Sequence, residues 1–206
     1  MNRRSFMATF SAGASIALAG GAVIWQTTDG LQAFTAESAR RLAILRSPRL
    51  VPDVVLKDSD GESADLRDLA RRPTVVEFIY TNCPTICVSL GQDFQRLQAE
   101  LDNSGLSGRV RLLSICFDLK HDTDRAMTEY AKYHGANPKI WSVVRPDTED
   151  GLRQILETFE IRIVADLDGQ FTHNAALHVV DATGHLSNIY DIGDHKPLLN
   201  RLRGFL

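Results

Sequence analysis

In the stretch FIYTNCPTICVSL, Phe78 to Leu90, two cysteines stand four positions apart, directly after an apolar run. Sulfur at that spacing serves one of three ends: a redox pair, a metal clasp, or two thiols sharing a core. The apolar run reads as a strand, and Pro84 suits the first turn of a helix that follows it. Cys83 and Cys87 therefore fall between the carboxyl end of a strand and the amino end of a helix. Active sites in such sheets gather at the carboxyl ends of strands. The unpaired N–H groups of a first helical turn favour negative charge, which lowers a thiol's pKa. Thiolate is both the nucleophile and the metal ligand, so the location favours reactive sulfur under either chemistry.

The spacing narrows the choice. Disulfide oxidoreductases typically carry two residues between their cysteines; this chain carries Pro84, Thr85 and Ile86. The wider loop lets the sulfurs splay around an ion and still close a disulfide. Two thiolates make a soft site, which selects copper(I), and imidazole suits a third position. Of the histidines at 121, 134, 173, 178, 185 and 195, most read as surface or satisfied core residues. His134 ends a helix, His185 lies in a turn, His195 opens the last helix, and His178 lies inside a strand. His173 is different. It lies in the loop DGQFTHNAAL, which in a thioredoxin-like sheet packs against the cysteine loop. Thioredoxins place a cis-proline there; this chain has no proline in that loop.

The elements that must position these groups follow from periodicity. TVVEFIY (74–80) is β-branched and aromatic and reads as a buried central strand. Leu90, Phe94, Leu97 and Leu101 recur at helical spacing after it. RVRLLSICF is the next strand, and DTDRAMTEYAKYHGA the next helix, capped by Asp122 or Thr123 and ending near Gly135. IWSVVRP is a third strand, and TEDGLRQILETFEI a third helix with Leu152, Ile155, Leu156 and Phe159 inward. AALHVVDATGHLSNIYDI reads as two strands joined at Asp181–Gly184, and HKPLLNRLRGF as a closing helix. Upstream, PDVVLKDSDGESADLRDL reads as a short strand, a turn at Asp60-Gly61 and a polar loop. Strand–helix alternation with a terminal hairpin predicts an α/β class: a thioredoxin-like fold, with a central mixed sheet flanked by helices.

The chain has 206 residues and a formal net charge of −3, which gives nothing basic enough to suggest nucleic acid. Three cysteines are too few for a disulfide scaffold. The amino-terminal segment stands apart: Arg3 and Arg4, then Phe6, then no charge until Asp29. Two readings compete. One is an export signal of twin-arginine type, with Ala17-Leu18-Ala19 as a cleavage site. The other is an uncleaved membrane anchor with its arginines cytoplasmic. Both place the remainder in an oxidising compartment. The expected organisation is a signal or anchor over 1–28, a linker helix over 29–50, and a thioredoxin-like domain over 51–206.

With these residues in order, the chain from Val51 to Phe205 resembles the Sco/SenC proteins. VVEFIYTNCPTIC is similar to that family's strand and Y-T-x-C-P-x-x-C segment. SICFDLKHDTDRAMTEYAKYHGANPKIW is similar to its S-x-x-x-D-P-x-x-D-T segment, and THNAALHVVDATGHL to its histidine-bearing stretch. The resemblance implies a copper-binding thioredoxin-like protein assisting cytochrome c oxidase assembly. It implies Cys83 and Cys87 as thiolate ligands and His173 as the histidine ligand of a copper ion, Cu(I) or Cu(II). It implies a cuproprotein client such as an oxidase subunit, and a site of action on the periplasmic side of the bacterial inner membrane. A thioredoxin-like reductant is a further expected partner.

The chain also departs from the pattern. Val88 and Leu119 stand where prolines are usual, Thr172 where an aspartate is common, and His178 where an aromatic is usual. Thr172 bears on how the imidazole is oriented, since neighbouring hydrogen bonds set tautomer and basicity. Cys116 reads as a buried strand thiol or a third sulfur near the site, and Asp118 and Asp122 as residues lining the cleft. Rival functions stay open: a thiol–disulfide oxidoreductase using Cys83 and Cys87 as a redox pair without stable metal, a redox sensor, and a peroxiredoxin-like peroxidase. The peroxidase wants a nearby arginine, and Arg96 lies three turns along the helix.

Overall fold

The computed structural model describes residues 20, 21, 23, 25, 35–83, 85–166 and 170–206. The leader expected over 1–28 lies almost wholly outside the described residues, as does Pro84. Among the described residues no helix is long and apolar enough to cross a membrane. The chain divides into two compact units, Met1–Ser47 and Pro48–Leu206. In the first, α1 (Ala36–Arg46) starts where the Thr35 hydroxyl accepts the Ser38 N–H at 3.0 Å. Glu37 pairs with both Arg40 and Arg41 at 2.8 Å.

The second unit is built on an eight-stranded sheet in the order β1-β10-β9-β4-β5-β6-β2-β3. Its members are β1 (Arg49–Leu50), β2 (Val55–Asp58), β3 (Ser63–Asp65), β4 (Thr74–Ile79), β5 (Arg111–Cys116), β6 (Trp141–Pro146), β9 (Leu177–Val180) and β10 (His185–Tyr190). The centre, β4, β5 and β6, is parallel. β9 and β2 run antiparallel to its two sides. β4 is buried along its whole length, as a strand covered on both faces must be. The segment expected as a polar loop forms β3 and the one-turn helix α2 (Leu66–Leu69). Asp65 caps α2 by accepting the Arg67 N–H, so polarity there served a cap rather than a loop. Gly61 makes the turn before β3 at a φ of +82°, a region that favours glycine.

The other helices are α3 (Ile86–Asn103), α4 (Asp124–His134), α5 (Glu149–Phe159) and α6 (His195–Arg203). Leu90, Phe94, Leu97 and Leu101 of α3 are all buried. Thr123, rather than Asp122, caps α4 by accepting the Ala126 N–H. On α5 only Ile155 and Phe159 of the four expected inward residues are fully buried; Leu152 and Leu156 are half-exposed. Phe78 meets Phe159 edge-on at 5.2 Å on one sheet face, and Phe94 meets Trp141 at 5.4 Å. A hairpin outside the main sheet, β7 (Ile163–Ala165) and β8 (Phe171–His173), replaces the expected loop around His173. Parallel centre, antiparallel flanks and covering helices make the expected thioredoxin-like arrangement.

Candidate metal and thiol site

The site is built where β4 ends. The Cys83 N–H donates to the Tyr80 carbonyl at 3.2 Å, turning the chain towards α3. The start of α3 lacks a hydroxyl cap: Thr85 makes no side-chain cap bond, and the first turn carries no acid. The Cys83 sulfur fills that role, accepting the Cys87 N–H at 3.4 Å. A helix with an unsatisfied amino end thus supplies a donor to sulfur.

The two thiols are unequal. Burial works to raise the Cys83 pKa, but the backbone N–H groups of Cys87 and Thr85 outweigh it and hold the thiol below its ordinary value. Burial pushes Cys87 up, and the neighbouring Cys83 sulfur adds to the rise. Cys83 is the thiolate former and Cys87 the proton holder. Both are buried, and both are free thiols, as is Cys116. Burial also drives Cys116 far up, with the charges of Asp122 and Cys87 adding to the effect.

A carboxylate fixes the cysteine loop in place. Asp122 Oδ1 accepts both the Thr81 N–H and the Thr81 hydroxyl at 2.7 Å, and Oδ2 accepts the Asp118 N–H at 3.0 Å. Asp122 is 1% exposed. It ties the loop before Cys83 to the end of β5. Asp118 instead meets His121, at 2.7 Å.

A second polar network lies under α3. Glu77, in the middle of β4, is fully buried, and burial raises its pKa to about 8. Ser114 donates to its Oε1 at 2.6 Å, and Trp141 donates to Ser114 at 2.8 Å. Tyr130 reaches the same Glu77 oxygen at 3.4 Å and the Cys87 carbonyl at 3.2 Å. The chain of contacts therefore runs from the sheet to the first turn of α3. The sequence places Asp122 at the cleft but carries no sign of its clamp on Thr81. The only hint of the network was an acid inside VVEFIY.

His173 ends β8. It is 9% exposed, and among the described residues neither ring nitrogen has a hydrogen-bond partner. Burial lowers its pKa to about 4, which keeps the imidazole neutral with a free lone pair at physiological pH. A buried polar ring without partners is costly and calls for an explanation. Its ring packs edge-on against Phe117 at 5.2 Å. Phe117 in turn meets Tyr80 at 5.4 Å and Phe171 at 5.7 Å. The Tyr80 hydroxyl accepts the Phe171 N–H at 3.2 Å and donates to Gln170 Oε1 at 3.2 Å. An aromatic cluster thus joins the cysteine loop to the hairpin that carries His173.

The three expected ligands do not all meet. Cys83 and Cys87 touch through the Cys87 N–H on the Cys83 sulfur, while His173 packs its ring on Phe117. Among the described residues no three His, Cys, Asp or Glu side chains are grouped so as to hold a metal ion. The donor types nonetheless fit a soft cation, and the orphaned nitrogens of His173 are what a ligand awaiting its ion presents. The other histidines serve elsewhere. His178 is wedged edge-on against Phe78 and Phe159, with Nδ1 at 3.3 Å from the Val76 carbonyl. His134 packs on Tyr130, and His185 contacts Thr183. His195 pairs with Asp93 and Glu100, each at 2.9 Å.

The chain is 23% identical to a SCO1 protein homolog of Bacillus subtilis over 150 residues, covering 71% of this chain and 76% of that one. Its fold is similar to that of BsSco, described as a member of the Sco family of cytochrome c oxidase assembly proteins with a disulfide switch. That likeness has a TM-score of 0.67 and 20% identity, covering 76% of this chain and 93% of that one. The copper-bound ScoI of Arabidopsis thaliana is similar at a TM-score of 0.65 and 18% identity, covering 75% and 98%. Likeness at these identities speaks for the fold alone. The family model described as SCO1/SenC matches residues 45–203, and the chain belongs to the SCO1/SenC family.

Proposed function

We propose that this chain handles copper as cargo, holding it through Cys83, Cys87 and His173 and passing it to a cuproprotein client. The observation that carries this reading is His173: a buried, neutral imidazole with both nitrogens unpartnered among the described residues, tied through Tyr80, Phe117 and Phe171 to the loop that bears the cysteines. The copper-bound relative and the oxidase-assembly role given for BsSco point the same way. Cys83 enters as thiolate first, and Cys87 follows by releasing its proton as the ion binds. Loading brings His173 to the sulfurs. Because among the described residues β7 and β8 pair only with each other, that shift leaves the main ladder intact.

The oxidised form is a Cys83–Cys87 disulfide. Its formation removes two electrons and two protons, taken up by a partner disulfide that becomes a dithiol. Both sulfurs are then lost as thiolate ligands. The client is a respiratory oxidase subunit or related cuproprotein. The site faces the periplasm, with residues 1–28 as signal or anchor, a linker after them, and a working domain that starts at Pro48 rather than 51, because β1 (Arg49–Leu50) already belongs to its sheet.

Equilibrium dialysis with copper(I) under reducing conditions tests the site. About one ion per chain is expected, lost in Cys83→Ser and His173→Ala. Undiminished binding in both variants overturns the site. The second reading, a thiol–disulfide reductase without stable metal, draws on the unequal thiols, since a low-pKa attacking cysteine beside a buried resolving one suits exchange. That reading predicts full activity in His173→Ala.

A further inference from the structure

At the opposite end of the central strands, the chain gathers arginines instead of sulfur. Arg72 stands just before β4, and Arg111 opens β5. The Arg111 N–H donates to the Pro73 carbonyl at 3.0 Å, and Thr74 and Arg111 are register partners, so the two arginines leave adjacent strands at one edge. The Nε of each is shut off from solvent and, among the described residues, has no hydrogen-bond partner. Among the described residues neither guanidinium has an acidic partner. Arg72 reaches the Gly108 carbonyl, at 3.4 Å. Its neighbours are already engaged: Arg71 with Asp68, and Arg109 with the Leu206 carbonyl, each at 2.8 Å. Burial, and then the positive charge of Arg72, lower the pKa of Arg111, which marks the two as close enough to repel.

Two like charges, part-buried and each with a dry donor unsatisfied, are unfavourable unless something negative stands between them. A tetrahedral oxyanion meets the demand: it offers several acceptors, and guanidinium forks match its oxygens two at a time. We infer that Arg72 and Arg111 form a phosphate-binding site at the end of the sheet remote from the cysteines. The phosphate comes from solution or from an anionic lipid headgroup. A lipid source would turn this end towards a membrane surface and the cysteine end away from it. The inference does not depend on the copper reading.

The test uses the full chain in chloride buffer, titrated calorimetrically with inorganic phosphate and, separately, co-sedimented with vesicles of phosphatidylglycerol or of phosphatidylcholine. Binding of phosphate, or of phosphatidylglycerol vesicles over phosphatidylcholine vesicles, is expected. It should weaken about tenfold or more in Arg72→Gln and in Arg111→Gln. Arg111→Lys keeps the charge but loses the fork, and should fall between; it also serves if a glutamine variant does not fold. Phosphate binding alone assigns a soluble ligand, and selective vesicle binding alone assigns a headgroup. Absence of both, or binding unchanged in the variants, overturns the site. Copper binding, measured in the same samples, should be the same in every variant that folds.

Discussion

Replacing Glu77 by glutamine should stabilise this protein, and more strongly as the pH rises. Glu77 is fully buried, and burial lifts its pKa from an ordinary value near 4.5 to about 8. The folded chain therefore holds a proton that the unfolded chain has already released between those limits. The contribution of Glu77 is fully present below about pH 4.5 and is lost as the pH rises to and through about 8. At about 1.4 kcal/mol per pH unit, the loss across that window is about 5 kcal/mol, an upper figure because other groups titrate there too. Glutamine keeps an oxygen for Ser114 and Tyr130 but carries no titrating proton. Urea unfolding of wild type and Glu77→Gln at several pH values reads this directly. The wild-type midpoint should fall between pH 5 and 8, the variant's should stay flatter, and the two curves should diverge by several kcal/mol. Parallel curves, or a variant less stable than wild type at pH 8, would refute the assignment of a buried neutral acid at this strand.

Asp122→Ala strands three donors from Thr81 and Asp118 and should cost about 3 kcal/mol. Asp122→Asn keeps part of the clamp and should cost less; equal stability of both with wild type, by denaturant melts, contradicts the clamp. Alkylation followed by peptide mass analysis should find Cys83 modified about tenfold or more faster than Cys87 at neutral pH, and equal rates would deny the inequality of the thiols. Contact with Asp93 raises the His195 pKa to about 9 against the opposing effect of burial, with Glu100 assisting. Its contribution should be complete below about pH 6.5 and lost as the pH rises through about 9. After allowance for solvent screening it amounts to about 1–2 kcal/mol. His195→Gln should remove that dependence from the melting curves.

The central strand was legible because Val75, Val76, Phe78 and Ile79 form an apolar run bounded by turn residues, and the burial of β4 follows from it. The helix after Cys87 was legible from Leu90, Phe94, Leu97 and Leu101 at helical spacing. The cysteine pair announced itself by spacing. His173 was separated from five other histidines by its expected place in the fold and by the family resemblance. The hairpin carrying it was not legible, since β7 and β8 have three residues each, too few to show a period. The buried polar contacts were out of reach for a different reason. Glu77 finds Ser114 37 residues on and Tyr130 53 residues on, and Thr81 finds Asp122 41 residues on. Such pairings are fixed by packing, and no local pattern encodes them. The placement of Phe117 between Tyr80 and His173 belongs to the same class.

X-ray absorption at the copper edge of the copper(I)-loaded protein tests the central claim most directly. Two sulfur neighbours and one imidazole nitrogen are expected, with the imidazole scattering gone in His173→Ala. A spectrum with sulfur neighbours only, identical in wild type and His173→Ala, would contradict the account.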